Sequence, residues 1–382
     1  MSKAAVYRVQ LDDVPELTEE ELRIAISGNL VSDEDTIINH VGLFPSCYSA
    51  KEESVALVKF TNTPKFLSSL VKNPDDSRTI SLSNGVSAEF DRKFNGFTPV
   101  NRPDEAEGIE ADIIAISGIG GHAYGSWAYS QDGTTFMWIQ DALPKMFPHC
   151  RIMLYGYESK LDSVSTNRIS DYCAGLQEHL NLVRKSEEER TRPVIFISHS
   201  FGGIIAANTL IQAQLGFDRA FYNAMDAFFF FGTPHKGLSV QEILDMLVDP
   251  NHPRVDLLGQ IDSKNKFLGD QLRNFKNVLG DRKVTSFYET KLTRKLVKVS
   301  GDDGRWSRSG PYLELSSQEN SLLGLNDALE KKISVDEDHS NMVKFKSRRV
   351  AAYRSLVDAL KDVLPEAQER VLGRTGTFRV DS

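Results

Sequence analysis

The chain has 382 residues, and its 45 lysines and arginines against 53 aspartates and glutamates give a formal net charge of −8. This length suggests two or three domains, and 40% hydrophobic with 26% charged residues is typical of a folded globular protein and argues against general disorder. The acidic balance argues against a protein whose main task is to neutralise nucleic-acid phosphates.

Three cysteines, Cys47, Cys150 and Cys173, are too few for a disulfide framework and lack the spacing of metal ligands. We expect them to be reduced thiols in a cytosolic-type compartment. No apolar run approaches the roughly 20 residues that a membrane span requires, and the first residues lack the apolar core of a signal peptide. The sequence therefore predicts a soluble, non-secreted, cytoplasmic protein and leaves open association with an organelle or peripheral contact with a membrane.

Residues 1–97 are predicted to form a small α+β domain. Thr18 and Glu21 have the spacing of a capping box, which marks the start of a helix. Apolar runs predict a second helix over residues 64–71 and strands over 7–14, 39–44, 54–60 and 88–94. The resulting order, β-α-β-β-α-β, is the ferredoxin-like arrangement.

This order resembles that of an RNA-recognition motif, which stacks bases on aromatic side chains of its sheet. Here Val55 and Leu57 fill the stacking positions of the third strand. Gln10 fills the aromatic position of the first strand, and Glu53 stands where a basic residue is expected. The first 100 residues carry 10 basic and 15 acidic side chains, or 10 − 15 = −5. We therefore expect a protein-interaction or packing module that does not bind nucleic acid.

Residues 98–108 are predicted to be a linker, because Pro99 and Pro103 disfavour both helix and strand. Beyond it, apolar strands alternate with helices, which predicts a mostly parallel α/β sheet with helices on both faces over residues 109–365. The strands are predicted over 111–116, 151–155, 193–197, 226–231, 284–288 and 333–335. The helices are predicted over 136–146, 169–185, 201–214 and 349–364, with one or two more within 240–279. Residues 366–382 are predicted to be a C-terminal tail.

The strongest chemical signal is Ser198-His199-Ser200-Phe201-Gly202, which joins a predicted strand to a predicted helix. This is the pattern of a nucleophile elbow, in which a serine stands at the apex of a tight strand-to-helix turn. The residues two positions to either side of the serine must be small, because the strand and the helix almost touch at the turn. The usual first glycine of the pattern is Ser198 here, and its small side chain still permits the turn.

A second signal is the glycine-rich segment Ser117-Gly118-Ile119-Gly120-Gly121-His122, which follows the first strand of the large domain. In α/β-hydrolases such a loop donates one main-chain N–H to the oxyanion hole, and the residue after the nucleophile donates the other. We expect Ile119 and Phe201 to be these donors. A phosphate-binding loop is the competing interpretation, but no Gly-Lys-Ser/Thr follows, and the spacing differs from Gly-x-Gly-x-x-Gly.

A serine hydroxyl needs a base, and the base needs an orienting acid. Beyond Ser200 the histidines are His235, which comes too early in the chain, His252, in a turn between helices, and His339. His339 follows the last predicted strand and precedes a helix predicted over 340–345, so it is the expected base. Glu289, at the end of the preceding strand, is the expected acid.

Aspartates also lie in this part of the chain. Asp302 or Asp303 is the rival for the acid, while Asp336 and Asp338 are expected to be solvated.

Taken in order, several segments of residues 109–364 resemble the serine esterases related to the serine-active-site-containing proteins and the GPI inositol-deacylases. They are Ser117–His122, 138–144, 151–157, Ser198–Gly203, Phe231–Gly237, 287–290 and 338–342. Similar domains stand at the front of fungal multidomain proteins with NACHT or NB-ARC modules. The resemblance implies an α/β-hydrolase fold, a lipase-like or esterase-like activity, and catalytic roles for Ser200, Glu289 and His339.

The sequence thus predicts a serine hydrolase that cleaves carboxylic esters, lipid-like ones in particular, through a Ser-His-Glu triad and an acyl-enzyme. No metal or organic cofactor is implied, and the expected partner is a small ester or lipid substrate, with a protein partner for residues 1–97. The alternative is a catalytically silent hydrolase fold that serves as an interaction or sensor module of a larger protein.

Overall fold

The computed structural model describes residues 5–12, 17–31, 35–106, 108–161, 163–216, 219–244, 247, 249, 251–298 and 306–376. Its N-terminal part is an antiparallel five-stranded sheet in the order β2-β3-β1-β5-β4. The elements are β1 (Ala5–Asp12), α1 (Glu19–Ser27), β2 (Ile38–Pro45), β3 (Glu53–Phe60), a 3₁₀ turn (Lys65–Leu67), α2 (Ser69–Lys72), β4 (Ser77–Ser81) and β5 (Ser87–Asp91).

The predicted capping box at the start of α1 is confirmed. The Glu21 N–H donates to Thr18 Oγ1 at 3.2 Å, and the Thr18 N–H donates to the Glu21 carboxylate at 2.9 Å. The helix lays Leu22 and Ile26 into the small core of the N-terminal sheet. Strand β4 was not predicted, because four of its five residues are exposed and it carries no apolar pattern.

The larger unit contains the remaining strands. They are β6 (Gly96–Pro99), β7 (Ala111–Ile116), β8 (Ala128–Gln131), β9 (Thr134–Met137), β10 (Cys150–Gly156), β11 (Val194–His199), β12 (Met225–Phe231), β13 (Lys283–Lys291), β14 (Thr293–Lys298), β15 (Trp306–Leu313) and β16 (Glu330–Asp338). Seven of them form one sheet in the order β16-β13-β12-β11-β7-β10-β6. All neighbours in it are parallel except β6, which is antiparallel to β10.

Helices follow most of these strands. They are α3 (Trp138–Asp141), α4 (Leu143–Met146), α5 (Ile169–Val183), α6 (Glu187–Thr191), α7 (Phe201–Leu215), α8 (Arg219–Ala224), α9 (Gln241–Leu244), α10 (Arg254–Ile261), α11 (Phe267–Val278), α12 (Gln318–Ser321), α13 (Ala351–Val363) and α14 (Ala367–Thr375). Short 3₁₀ turns lie at Gly125–Trp127 and Leu364–Glu366.

Alternate side chains of the central strands enter two separate cores, one on each face of the sheet. Phe196 and Phe228 pack in the core that contains α5, α7 and α11, while Ile195 and Phe229 pack in the core that contains α13. A mostly parallel sheet covered by helices on both faces is the predicted α/β-hydrolase arrangement, which is confirmed.

Two predicted segments in the middle of the chain have a different structure. Residues 98–108 were expected to be a linker, but Gly96–Pro99 form the edge strand β6; an edge strand tolerates proline because one side of its backbone needs no ladder partner. The helix predicted over 136–146 is instead the end of the β8–β9 hairpin followed by α3 and α4. Pro144 lies in the first turn of α4, where its missing N–H costs nothing.

Three later predictions also need correction. The helix predicted over 340–345 is a turn, in which the Asp338 carboxylate accepts from the N–H groups of Ser340 and Asn341 at 2.9 and 3.0 Å. The 240–279 stretch contains three helices rather than one or two. The predicted tail contains α14, whose Arg370 and Arg374 pair with the buried Asp226.

The N-terminal module and the larger unit share apolar packing. Leu57 and Phe94 belong to one core of the hydrolase sheet, and Cys47 belongs to the other. The Tyr48 hydroxyl forms a hydrogen bond of 2.8 Å with His179 Nδ1 and accepts another of 2.8 Å from the Phe97 N–H. The two units are therefore joined by side chains as well as by the chain itself.

None of the helices in the described ranges has both the length and the apolar character that crossing a membrane would require. Cys47, Cys150 and Cys173 are buried and form no disulfide with one another. Burial raises the pKa of the Cys47 thiol to about 12, so this thiol is not a reactive thiolate.

Candidate active site

Ser200 stands between β11 and α7 with backbone angles of φ 53° and ψ −123°. A positive φ is costly for a residue with a Cβ and persists only where the surrounding structure enforces it. Here the Ser200 N–H donates to the Phe231 carbonyl at 2.9 Å, and its own carbonyl accepts from the Gly203 N–H at 3.0 Å. Ser200 therefore lies at the apex of the turn, outside both β11 and α7.

The glycines around this turn allow backbone segments to approach each other closely. A Cβ on Gly202 would overlap the Ile116 carbonyl, and one on Gly203 would overlap the Thr233 side chain. A Cβ on Gly118 would lie 2.9 Å from the Ser200 Cβ, which brings the glycine-rich loop against the serine. Ser198 is fully buried, and its hydroxyl has no hydrogen-bond partner among the described residues.

The His339 ring lies between Ser200 and Glu289. Its Nε2 is 2.9 Å from Ser200 Oγ, and its Nδ1 is 2.9 Å from Glu289 Oε1. Because a carboxylate can only accept, Nδ1 carries the hydrogen, and Nε2 is left to accept the serine proton. The His339 N–H also donates to Thr293 Oγ1 at 3.1 Å, which fixes the backbone from which the ring projects.

The Ser200 and His339 residues are each only 6% exposed, and the Glu289 side chain is 7% exposed. Charge and hydrogen bonds at this centre are therefore screened little by solvent. The second oxygen of Glu289, Oε2, has no hydrogen-bond partner within the described part of the chain.

The segment Ser117–His122, called the oxyanion loop below, and the start of α7 border the serine. Among the described residues, no acceptor is found for the main-chain N–H of Ile119 or of Phe201. By contrast, the Gly120 N–H donates to the Ser159 carbonyl at 2.6 Å, and the Gly121 N–H donates to the Gly118 carbonyl at 3.0 Å. Two open donors beside a serine hydroxyl are the elements from which an oxyanion hole could be built.

The other histidines considered from the sequence lie elsewhere. His235 is buried against Phe230, with ring centroids 4.7 Å apart, and its Nε2 has no hydrogen-bond partner in the described ranges. His252 lies in a turn, where its Nδ1 accepts from the Arg254 N–H at 3.2 Å. Neither makes a hydrogen bond to Ser200.

Among the acids, Asp302 and Asp303 lie outside the described residues. Asp336 is exposed and pairs with Lys291 at 3.3 Å. Asp338, expected to be merely solvated, closes the turn after His339.

Two residues near the centre were not found by sequence reasoning. Gly232 has φ 54°, and a Cβ on it would lie 3.0 Å from both Glu289 Oε2 and His339 Nδ1. His199 forms a hydrogen bond of 2.8 Å between its Nε2 and the His339 carbonyl. A glycine directly after a buried strand was the available signal for Gly232, whereas nothing in the pattern marked His199.

A cleft of about 130 Å³ lies beside the oxyanion loop, at the contact with the N-terminal module. Its lining includes Ser117, Gly121 and Tyr157 from the larger unit, and Arg92 and Lys93 from the module. Ser200 does not line the cleft, which therefore adjoins the loop and not the serine.

No family model matches the chain. Protein SERAC1 of Danio rerio is 24% identical over 281 residues, which cover 67% of this chain and 39% of the relative. Protein SERAC1 of Homo sapiens is 24% identical over 283 residues, with 68% and 40% covered. The chain therefore spans about two fifths of the length of these curated relatives.

Solved structures with some similarity include the mature Bacillus licheniformis lipase BlEst2, at 16% identity and a TM-score of 0.43 over 70% of this chain and 97% of that one. A lipase-esterase related protein from Clostridium acetobutylicum has 12% identity and a TM-score of 0.38, with 70% and 98% covered. The type II thioesterase YbtT has 12% identity and a TM-score of 0.35, with 71% and 98% covered.

Proposed function

We propose that the protein is a serine hydrolase that cleaves carboxylic esters through an acyl-enzyme. The observation that carries this proposal is the His339 ring, which stands 2.9 Å from both the Ser200 hydroxyl and the Glu289 carboxylate. A nucleophile, a base and an orienting acid in this relation are the working parts of a catalytic triad. The positive φ of Ser200 supports the same interpretation, because this strain is typical of a nucleophile elbow.

In the proposed reaction His339 Nε2 takes the proton of Ser200 as Oγ attacks the ester carbonyl. The N–H groups of Ile119 and Phe201 stabilise the negative oxygen of the tetrahedral intermediate. His339 then gives the proton to the leaving alcohol, which departs and leaves an acyl-enzyme. Water, activated by His339, attacks the acyl group and releases the carboxylic acid, while Glu289 stabilises each imidazolium that forms.

The preference for lipid-like esters is proposed from the resemblance of the motifs to the serine esterases described above. It is tested by the chain-length dependence of kcat/KM on a series of p-nitrophenyl esters from acetate to palmitate. A rise of kcat/KM with acyl length would support a lipid-like substrate, and a maximum at acetate would contradict it.

The nucleophile is tested by labelling with a fluorophosphonate probe, which phosphonylates an activated serine. We expect the wild-type protein to label and Ser200→Ala to lose labelling and ester hydrolysis. Ser198→Ala is the matched control, because it removes a buried hydroxyl two residues away that has no hydrogen-bond partner among the described residues. Labelling that survives Ser200→Ala would overturn the nucleophile assignment, and a folded wild-type protein that never labels would favour the catalytically silent module instead.

For residues 1–97 we propose a packing or protein-interaction role rather than RNA binding. The net charge of −5 over the first 100 residues supports this, as does Leu57 packing into a core of the hydrolase sheet. Salt-sensitive binding of the intact protein to single-stranded RNA in a fluorescence anisotropy titration would contradict the proposal.

A further inference from the structure

The oxyanion loop is held by a second loop, residues 157–160, called the bracing loop below. Ser159 contacts the oxyanion loop twice: its carbonyl accepts from the Gly120 N–H at 2.6 Å, and its hydroxyl donates to the Gly121 carbonyl at 2.5 Å. The Tyr157 hydroxyl donates to the Ser117 carbonyl at 2.9 Å. These bonds flank the proposed oxyanion donor on both sides, so the bracing loop sets its position.

The bracing loop is in turn tied to the N-terminal module by ion pairs. Lys93 Nζ lies 2.7 Å from Glu158, and Lys160 Nζ lies 2.6 Å from Asp75. Lys93 also lies 3.7 Å from Asp75, which connects the two pairs. Burial lowers the pKa of Lys93, but the hydrogen bond and charge of Glu158 outweigh it, so the pKa of Lys93 is raised and the amine stays charged.

A second contact joins the module directly to the oxyanion loop. His122 Nδ1 accepts from the N–H groups of Tyr124 and Gly125 at 3.1 and 3.0 Å. Its Nε2 therefore carries the hydrogen and donates to the Arg92 carbonyl at 2.6 Å. The His122 ring also meets the Phe94 ring, with centroids 5.0 Å apart. Arg92 thus contacts the oxyanion loop itself, and Lys93 contacts the bracing loop that holds it.

We propose that the N-terminal module positions the oxyanion hole, with Lys93 as a positioning residue that acts through Glu158 and the bracing loop on the Ile119 N–H. This inference rests on the proposed hydrolase function and gives the module a part in it. Lys93 touches no reacting atom, so its contribution is to keep a main-chain donor where the oxyanion forms.

The test compares Lys93→Met, which removes the charge but keeps an apolar stem, with Lys93→Arg, which keeps the charge. Lys332→Met is the matched control, because Lys332 forms an ion pair of the same length, 2.7 Å, with Asp327, and has 29% side-chain exposure against 24% for Lys93. Glu158→Gln, an isosteric change at the partner, provides a second variant that does not depend on how Lys93→Met folds.

Losing an oxyanion donor outright costs about 10²–10³ in kcat, so a displaced one should cost about tenfold. We therefore expect Lys93→Met and Glu158→Gln to lower kcat for p-nitrophenyl butyrate, and the rate constant of fluorophosphonate labelling at Ser200, by about tenfold. KM should change by less than about twofold, because the substrate is still bound while transition-state stabilisation is lost. Lys93→Arg should restore most of the rate, and Lys332→Met should react like the wild type.

The two proposals fail in different ways. A wild-type protein that does not label at all would overturn both the hydrolase and the bracing role. A reactive wild type with Lys93→Met and Glu158→Gln reacting at the same rate would overturn only the bracing role. Equal losses of rate in Lys93→Met and Lys332→Met would also overturn it, since both would then reflect general destabilisation.

Discussion

The three residues proposed for the chemistry could be named from the chain because each lies near or just beyond the carboxyl end of a parallel strand. Ser200 follows β11, Glu289 lies near the end of β13, and His339 follows β16. Parallel strands bring these ends to one edge of the sheet. The supporting contacts could not be named in the same way, since the bond from His199 to the His339 carbonyl depends on how a turn folds back.

Gly232 gives a prediction at this scale. Gly232→Ala would place a Cβ 3.0 Å from Glu289 Oε2 and from His339 Nδ1, on a backbone with φ 54° that disfavours side chains. Displacing a reacting group by about 1 Å can cost about 10²-fold, so we expect kcat/KM for p-nitrophenyl butyrate to fall by about that factor.

Gly269→Ala is the control for this change. Gly269 lies within α11, and a Cβ there meets no atom within 4 Å. The replacement should leave kcat/KM unchanged and stabilise the helix by about 0.4–1 kcal/mol. Equal activity of the two alanine variants would show that Gly232 does not affect the geometry of Glu289 and His339.

His235 gives a prediction about pH. Burial, reinforced by Lys276, lowers the pKa of His235 to about 3, from 6.5 for an unperturbed histidine. Between these values only the unfolded chain takes up the proton, so the contribution of His235 to stability is complete above pH 6.5 and declines as the pH falls. The free energy of unfolding should lose about 1.4 kcal/mol per pH unit from this residue alone.

His235→Leu should remove that part of the acid sensitivity, because leucine has no proton to bind and no unpartnered nitrogen to bury. The measurement is urea unfolding at a series of pH values from 7 to 4, with His235→Phe as a second replacement. If both variants keep the wild-type slope, His235 is not the group that makes the fold sensitive to acid.

At the scale of elements, the strands buried on both faces were predictable because they are continuous apolar runs. Strands β7, β11 and β12 are buried at every residue. Several elements that were missed lack this signal: for example, β4 is exposed, β6 contains a proline, and the turn after His339 is closed by the Asp338 carboxylate. Their structure is decided by neighbours distant in the chain or by a single side chain, and neither produces a periodic pattern.

Asp112 on β7 gives a prediction at this scale. It is fully buried and pairs with Arg151 at 2.8 Å, with Arg192 at 3.4 Å and with Arg184. Asp112→Asn would leave three guanidinium groups without their shared counter-charge. Breaking a buried ion pair in this way costs about 3–5 kcal/mol, which urea unfolding at pH 7 would measure.

The same carboxylate sets a dependence on pH. Burial alone would raise the pKa of Asp112, but Arg151, Arg184 and Arg192 outweigh it and lower the pKa below the ordinary 3.8. Its contribution is therefore complete above that value and is lost as the pH falls through the lower, folded-state pKa.

Asp256→Asn is the control for Asp112→Asn. It breaks an exposed pair with Arg168 and should cost less than about 1 kcal/mol. Equal losses in the two variants would contradict the role given to burial.

At the scale of the whole molecule, the sequence predicted two units and a linker, whereas the structure joins the units through packed side chains. Leu57 and Phe94 lie in a core of the larger sheet, and Arg8 on β1 donates to the Thr98 hydroxyl on β6 at 3.1 Å. Contacts between units cannot be predicted from apolar periodicity, because a side chain that crosses to another unit has the same pattern as one that stays in its own.

We therefore expect the described units to unfold together, in one calorimetric transition whose calorimetric and van't Hoff enthalpies agree. Tyr48→Phe, which removes the hydroxyl bonded to His179 and Phe97, should lower the midpoint without splitting the transition, at a cost of about 1–3 kcal/mol. Tyr129→Phe, on the exposed β8–β9 hairpin, is the control and should leave the midpoint unchanged. Two separate transitions in the wild type would contradict this coupling.

The edge strand β6 also decides where the chain can be divided. It pairs with Met153–Gly156 of β10. Its residues come directly after the strands of the N-terminal module. A fragment of the larger unit that starts in the expected linker would leave the outer backbone groups of β10 open, and open strand edges recruit other chains into aggregates. A fragment meant to remain monodisperse must therefore begin before Gly96. The β4–β5 turn is a better place than the region of β6 to insert a fluorescent tag, because a Cβ on Gly85 would meet no atom within 4 Å.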